Sequence, residues 1–387
     1  MKDYIGCNIP KLGFGLMRLP QKDGVIDIEQ VKQMADHFFA NGFTYCDTAY
    51  VYGGGASELA AKAAIVERYP RESFQLADKL PVINIEKEED MEAFVQTSLE
   101  RTGAGYFDFY LLHALNKNKL EICDKFDAWK FMVQLKERGL AKHVGFSFHD
   151  KAEVLDEILT KHPEMEFVQL QINYADWESD SVQSRLCHEV CMKHGKPVII
   201  MEPVKGGNLV TMTPEVQKTF KEANPDASIA SWAVRYAASR EGLITVLSGM
   251  SNLEQMVDNT SYMKDFQPLN DEENAVVAKV VDILNSIPTI PCTACEYCVA
   301  GCPMQINIPA IFKAYNNYLV YGNLQGAKSI QTPSPAFSLT AIKIRPTTIP
   351  ATMAMSIRMA SLLLSLSFFM QKYLLFLCIS FLFSIYA

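Results

Sequence analysis

The stretch Gly42-Phe43-Thr44-Tyr45-Cys46-Asp47-Thr48-Ala49-Tyr50-Val51-Tyr52-Gly53 decides how the chain is read. Its first half is a short run rich in aromatic residues, opened by glycine, which predicts a β-strand. The run ends on an ionisable side chain, Asp47, with tyrosines close behind. The same pattern recurs along residues 10–260. Predicted strands at 11–17, 43–49, 74–80, 106–113, 143–149, 167–174, 197–204 and 243–249 alternate with amphipathic helical stretches at 28–40, 57–67, 91–101, 126–138, 151–160, 181–193 and 228–239. Repeats of roughly 30 residues match a closed (β/α)8 TIM barrel better than an open doubly wound sheet. No Gly-x-Gly-x-x-Gly follows the first strand, and Gly53-Gly54-Gly55 comes after the second without that spacing. The main argument for an open dinucleotide-binding sheet is therefore absent.

In such a barrel, catalytic groups come from the C-terminal ends of the strands. The second predicted strand delivers Asp47 with Tyr52 behind it, the third ends in Ala77-Asp78-Lys79-Leu80, and the fourth in Leu111-Leu112-His113. Any one of these alone reads as a solvated strand end. Three consecutive ends supplying Asp, Lys and His on one rim point to chemistry, and carbonyl reduction fits them. The carbonyl oxygen needs a proton donor, and a tyrosine hydroxyl serves if its pKa of about 10 is drawn toward neutrality. Lys79 would draw it down by favouring phenolate, Asp47 would hold Lys79 charged, and His113 would orient the carbonyl. A nicotinamide would carry the hydride.

The segments Gly42–Gly53, Asp78-Lys79-Leu80-Pro81, Leu111-Leu112-His113 and Val144-Gly145-Phe146-Ser147-Phe148-His149 resemble aldo/keto reductase signatures, in order and at family-like spacing. The resemblance runs from about Ile9 to Phe266 and includes all four members of that family's catalytic tetrad, Asp47, Tyr52, Lys79 and His113. It implies a (β/α)8 barrel using NADP(H) or NAD(H) to reduce an aldehyde or ketone, reversibly, with Tyr52 as proton donor. It also implies that Ser147, Gln169 and Asn173 contact the nicotinamide or its ribose. By the same resemblance Glu202-Pro203-Val204-Lys205-Gly206-Gly207 would line the pyrophosphate side. Ser248, Gly249, Ser251, Asn252, Gln255, Asp258 and Asn259 would hold the adenosine half. NADP-selective members of the family carry cations where this chain has Gly249 and Gln255, so the choice between NADPH and NADH stays open.

Downstream, Cys292-Thr293-Ala294-Cys295-Glu296-Tyr297-Cys298-Val299-Ala300-Gly301-Cys302-Pro303 carries the C-x2-C-x2-C-x3-C-P spacing of bacterial ferredoxins. The expectation is a 4Fe-4S cluster on Cys292, Cys295, Cys298 and Cys302. In two-cluster ferredoxins the fourth cysteine of such a run serves the other cluster, and no second run exists here. With Ala77–Pro81, the run resembles the bacterial aldo/keto reductases fused to a ferredoxin-like C-terminal domain, of which this chain would carry an incomplete copy. The predicted organisation is a barrel over 1–266, a linker helix and ferredoxin-like segment over 267–330, and an atypical apolar tail over 331–387. That tail reads as a shifted reading frame, a membrane anchor or a packed helix, and Lys372 between its apolar blocks is costly for the anchor.

Charge is unevenly spread. No Asp or Glu follows Glu296, and the last 91 residues hold six Lys or Arg. With −8 over the whole chain and +6 in this tail, residues 1–296 carry −14. So acidic a body excludes nucleic acid as a partner. The remaining six cysteines are scattered and the N-terminus lacks a signal-peptide pattern, which predicts a cytoplasmic protein, membrane-associated only if the 359–387 segment is a true anchor. The predicted partners are a small carbonyl substrate and, through the cluster, an electron-transfer partner. An alternative function is an electron-transfer or redox-sensing iron–sulfur protein whose barrel binds nucleotide.

Overall fold

The computed structural model describes residues 5–292, 299 and 307–323. Eight parallel strands close into a barrel: β1 (Leu12–Gly15), β2 (Tyr45–Asp47), β3 (Gln75–Leu80), β4 (Phe107–Leu115), β5 (Ala141–Phe148), β6 (Phe167–Gln171), β7 (Val198–Met201) and β8 (Leu243–Ser248). Each pairs with its successor, and β8 pairs back onto β1 through Leu12↔Val246 and Phe14↔Ser248. All eight lie within the predicted strand segments or within two residues of them.

The period of two along each strand separates two cores. Outward residues such as Cys46, Leu76, Leu112 and Val168 pack under helices that include α1 (Ile28–Ala40), α2 (Ala56–Ala61) and α3 (Glu88–Thr102). Inward, Tyr45, Ala77, Phe109, Leu111, Phe167, Ile199, Ile244 and Leu247 fill the barrel. Burying each large side chain of this plug contributes about 1.5–3 kcal/mol. Two residues further along each strand, on the same inward face, come Asp47 after Tyr45, Lys79 after Ala77, His113 after Leu111, and Gln169 after Phe167. A layer of polar groups therefore sits directly on the apolar plug, at the C-terminal mouth. Gly145 makes room for that plug, since a Cβ there would lie 2.3 Å from the Phe167 carbonyl oxygen.

Several local features depart from the sequence expectation. A two-residue hairpin, Gln21–Lys22 against Val25–Ile26, precedes α1. The helix expected over 57–67 is α2 followed by a wider π-turn at Lys62–Val66. The segment expected as one helix over 126–138 is preceded by Lys117–Lys125 and restarts at Ala128 after Asp127, whose φ is 51°. Helices Pro214–Ala223 and Leu253–Met263 were not anticipated. Helix Asp271–Ser286, expected as a linker, carries Val277, Val280 and Leu284 into a second core around Trp232, Phe220 and Tyr236.

The chain divides into two compact units. The first comprises the barrel and its helices to Pro291, together with Tyr315–Leu324. Within it the Asn316 amide receives the Ile290 N–H at 2.8 Å and donates to the Ile290 carbonyl at 2.9 Å. The second unit, Cys292–Ala314 with Gln325–Ala387, is described at Cys292, Val299 and 307–314, where helix Ile308–Tyr321 begins. Cys295, Cys298, Cys302 and the tail over 331–387 lie outside the described residues. Among the described residues no helix is long and apolar enough to cross a membrane.

Candidate active site

Lys79 is fully buried beneath the barrel mouth, and its ammonium is held by three oxygens. It donates to Asp47 Oδ1 at 2.5 Å, to the Thr48 carbonyl at 2.7 Å and to the Tyr52 hydroxyl at 3.3 Å. The other carboxylate oxygen of Asp47 accepts the Gln169 amide at 3.1 Å. Both Asp47 oxygens are thus acceptors, which is the geometry of an ion pair. Burial pushes the Asp47 carboxyl up, opposed by Lys79 and Gln169. For Lys79, burial alone would lower the pKa, but Asp47 and Tyr52 outweigh it and leave it raised, so the ammonium persists.

Tyr52 reaches this cluster from the turn after β2. Its ring lies 5.7 Å from the His113 imidazole in an edge-on arrangement, and the Lys79 ammonium sits 4.8 Å from its centroid. The expectation that Lys79 draws the phenol toward neutrality requires correction. Burial raises the Tyr52 pKa, and the lysine only partly offsets that rise. Desolvation of a phenolate is a property of the packed mouth, and it wins here. His113 goes the other way: burial first, then Lys79, Lys119 and His149, bring it down to about 3. Its imidazole is neutral throughout the ordinary pH range and serves as a hydrogen-bonding group. Ala114, immediately after it, is held at φ 55° and bridged by Ser147 Oγ, which accepts its N–H at 2.7 Å, and by Lys119, which donates to its carbonyl at 2.8 Å.

The residues expected to hold a cofactor fall into three groups. Ser147 and Gln169 are buried beside the tetrad. Ser147 accepts from Ala114 and so keeps its own hydrogen to donate, while Gln169 gives its amide to Asp47. Asn173 is locked into the protein, donating to Asp176 at 2.8 Å and to the Glu202 carbonyl at 3.1 Å. Asp176, absent from the sequence reading, also accepts from Gln171 at 2.8 Å and pairs with Lys205. Glu202, Lys205, Gly206 and Gly207 lie in a turn where all four have positive φ, unstrained for the two glycines but a backbone strain at Glu202 and Lys205 of the kind that collects at functional sites. Ser248 donates to Asn259, Gln255 accepts the Ser251 N–H, and Asn252 caps helix Leu253–Met263. Asp258 accepts from Ser228.

Arg18 is the cation that the sequence reading overlooked. It follows β1, lies 3.7 Å from Glu202, and its side chain passes beside Gly249 and Gly206. A Cβ at Gly206 would stand 3.2 Å from its guanidinium. The only sequence signal was a basic residue just past the first strand. Of the cysteine run, Cys292 is exposed. Among the described residues no group of three or more His, Cys, Asp or Glu side chains could hold a metal ion.

The aldo/keto reductase family profile matches residues 11–282. Among curated relatives, the chain is 29% identical over 203 residues to "Probable aldo-keto reductase 1" of Glycine max, a match over 48% of this chain and 54% of that protein. It is 24% identical over 277 residues to the "Uncharacterized oxidoreductase YtbE" of Bacillus subtilis, over 70% and 90% of the two chains. The chain thus spans about half of the first relative and most of the second. Among solved structures it is similar to the holo form of aldo-keto reductase AKR11C1 from Bacillus halodurans (TM-score 0.57, 23% identity, 72% of this chain and 95% of that one). It is also similar to an aldo-keto reductase from Klebsiella pneumoniae in complex with NADPH (TM-score 0.57, 19% identity, 70% and 91%). At these identities the two structures speak for the fold, and the family rests on the profile match across most of the barrel. The chain belongs to the aldo/keto reductase family.

Proposed function

We propose that the protein reduces a small aldehyde or ketone with a nicotinamide dinucleotide, Tyr52 giving the proton to the carbonyl oxygen. The observation that carries this reading is the buried relay Asp47–Lys79–Tyr52, with contacts of 2.5 and 3.3 Å, opening onto a neutral His113. A neutral imidazole donates a hydrogen bond to a carbonyl without competing as an acid, and Tyr52 is the group left to supply the proton. Lys79 stabilises the phenolate left behind, and Asp47 keeps Lys79 charged and fixed.

The mouth would take the dinucleotide along its rim. Gly206 lies beside the Arg18 guanidinium, Gly207 is open and Gly249 lies along the Arg18 methylenes, so Arg18 and this glycine turn would receive a diphosphate. Ser147, with a hydrogen to donate, and Gln169 would orient the carboxamide, and the Ser251–Asn259 segment would hold the adenosine half. When bound, the nicotinamide supplies the hydride. One relative is named a methylglyoxal reductase, and a short 2-oxoaldehyde is the substrate class proposed here. Oxidation of NADPH and of NADH with methylglyoxal tests the reading, and the absence of turnover with either cofactor across a panel of short aldehydes overturns it.

The Cys292–Cys302 run supports a second element, an iron–sulfur site. Three thiolates at ferredoxin spacing, Cys292, Cys295 and Cys298, would hold one cluster, with Cys302 turning inward as the fourth ligand or leaving the site three-ligated and labile. An electron-transfer partner follows only if that cluster assembles.

A further inference from the structure

Asp78 precedes Lys79 on β3 and therefore points out of the barrel, toward the helical layer. It is fully buried, and so is Glu58 on α2. Each carboxyl has one oxygen engaged: Asp78 Oδ1 accepts the Lys79 N–H at 2.7 Å, and Glu58 Oε2 takes the Arg101 guanidinium at 2.8 Å. The other two, Asp78 Oδ2 and Glu58 Oε1, are buried with no donor. Two carboxylates are acceptors only and cannot satisfy each other. Like charges sharing a buried site do not both ionise. The two side chains are hydrogen-bonding neighbours, so one proton between them satisfies both orphaned oxygens, and the single charge that remains faces Arg101.

We propose that Asp78 and Glu58 share one proton as a carboxylic acid–carboxylate pair, and that this pair makes Asp78 a positioning residue for Lys79. The positioning role rests on the function proposed above for Lys79, whereas the shared proton does not. The groups facing Asp78 are Glu58 from α2, Tyr110 from β4, Tyr52 from the turn after β2 and Lys79 on its own strand, and Arg101 from α3 faces Glu58. Burial and then Glu58 push the Asp78 carboxyl well up. A neutral Asp78 leaves Asp47 as the carboxylate that Lys79 answers to. The pair also fastens two parts of the site together. Arg101 reaches Glu58 by crossing Gly55, where φ is +96° and a Cβ would stand 2.8 Å from the guanidinium. The same guanidinium lies 4.6 Å from the Tyr50 ring. The turn that carries Tyr52 is thereby tied to the strand that carries Lys79.

Urea titrations of the full chain and of Asp78→Asn between pH 5 and 8 test the proton. Asparagine keeps the acceptor for Lys79 N–H and gives Glu58 a permanent donor. A raised folded-state pKa contributes stability that is full below about pH 3.9, the unfolded value for Asp, and is lost as pH rises through the folded value. The wild-type folding constant should therefore fall relative to Asp78→Asn as pH rises through this window, by up to about tenfold per pH unit while the folded state holds the proton. Parallel pH dependences would overturn the proposal. Infrared spectra at pH 7 should show the C=O stretch of a neutral buried carboxylic acid in the wild type, lost in Asp78→Asn. Absence of that band from the wild type would overturn it even if the variant failed to fold. For positioning, Asp78→Ala should lower kcat about tenfold at near-normal KM, with Asp78→Asn restoring it. Wild-type kcat in Asp78→Ala would refute that role while leaving the proton assignment to the other two measurements.

Discussion

Replacing Lys79 by methionine tests the centre of the site through stability alone. Methionine fills a similar volume, so the change leaves little cavity and acts mainly on charge. Lys79 is fully buried and Asp47 is only 3% exposed, with the ammonium 2.5 Å from Oδ1. After the substitution Asp47 keeps one donor, the Gln169 amide at 3.1 Å. Removing one partner of a buried pair and stranding the other costs about 3–5 kcal/mol. Adding Asp47→Asn removes the stranded charge, so the double variant should be more stable than Lys79→Met alone, by about 1–3 kcal/mol. Urea unfolding at pH 7, with unchanged m-values, measures both quantities. In Lys79→Met the folded-state pKa of Asp47 rises further. The deficit should therefore be largest at neutral pH and shrink as pH falls toward the carboxylate's own value of about 3.9. A loss below about 1 kcal/mol would show that the pair behaves as a solvated surface bridge, and the reasoning would fail.

Three further outcomes follow from the same geometry. Because His113 is held down to about 3, a His113→Gln variant should be relatively more stable than wild type as pH falls from about 6.5 toward 3, and the wild-type imidazole should show no NMR titration above pH 5; an imidazole titrating near 6.5 would contradict this. With Gly249 and Gln255 offering no cation of their own, NADPH and NADH should differ by less than about tenfold in Kd, and Arg18→Leu should weaken both in parallel by about 1.5–3 kcal/mol if it serves their shared diphosphate; a thousandfold preference for NADPH would show a phosphate site elsewhere. Anaerobic reconstitution should give oxygen-sensitive iron below about four atoms per chain, whereas four stable irons would show that Cys302 closes the cluster and about eight would refute a single site.

The barrel was legible because alternation along a strand and repetition between strands are local signals. Lys79 and His113 were found by the same logic, as ionisable groups at the end of an apolar run. Pairings across the chain were not legible. Nothing near Asp78 in sequence announces Glu58, which lies twenty residues earlier on another element, nor does Asn173 announce that Asp176 and the Glu202 carbonyl will hold it. Arg18 reads as a solvated residue until the closed barrel brings Gly249 beside it. The direction of the Tyr52 shift was misread for a related reason. Sequence shows which charge is near a phenol but not how much water the fold removes from it. Helices Pro214–Ala223 and Leu253–Met263 start at a proline and at an Asn cap, signals present in the sequence and passed over.

The central claim is that Tyr52 gives the proton, and the comparison of Tyr52→Phe with wild type tests it most directly. Turnover of methylglyoxal or another accepted aldehyde is measured beside nucleotide affinity by fluorescence titration. The account predicts a fall in kcat of about 10²–10⁴-fold with nucleotide Kd within about twofold, because the donor is lost while the cofactor's contacts remain. Near-normal turnover in Tyr52→Phe would contradict it.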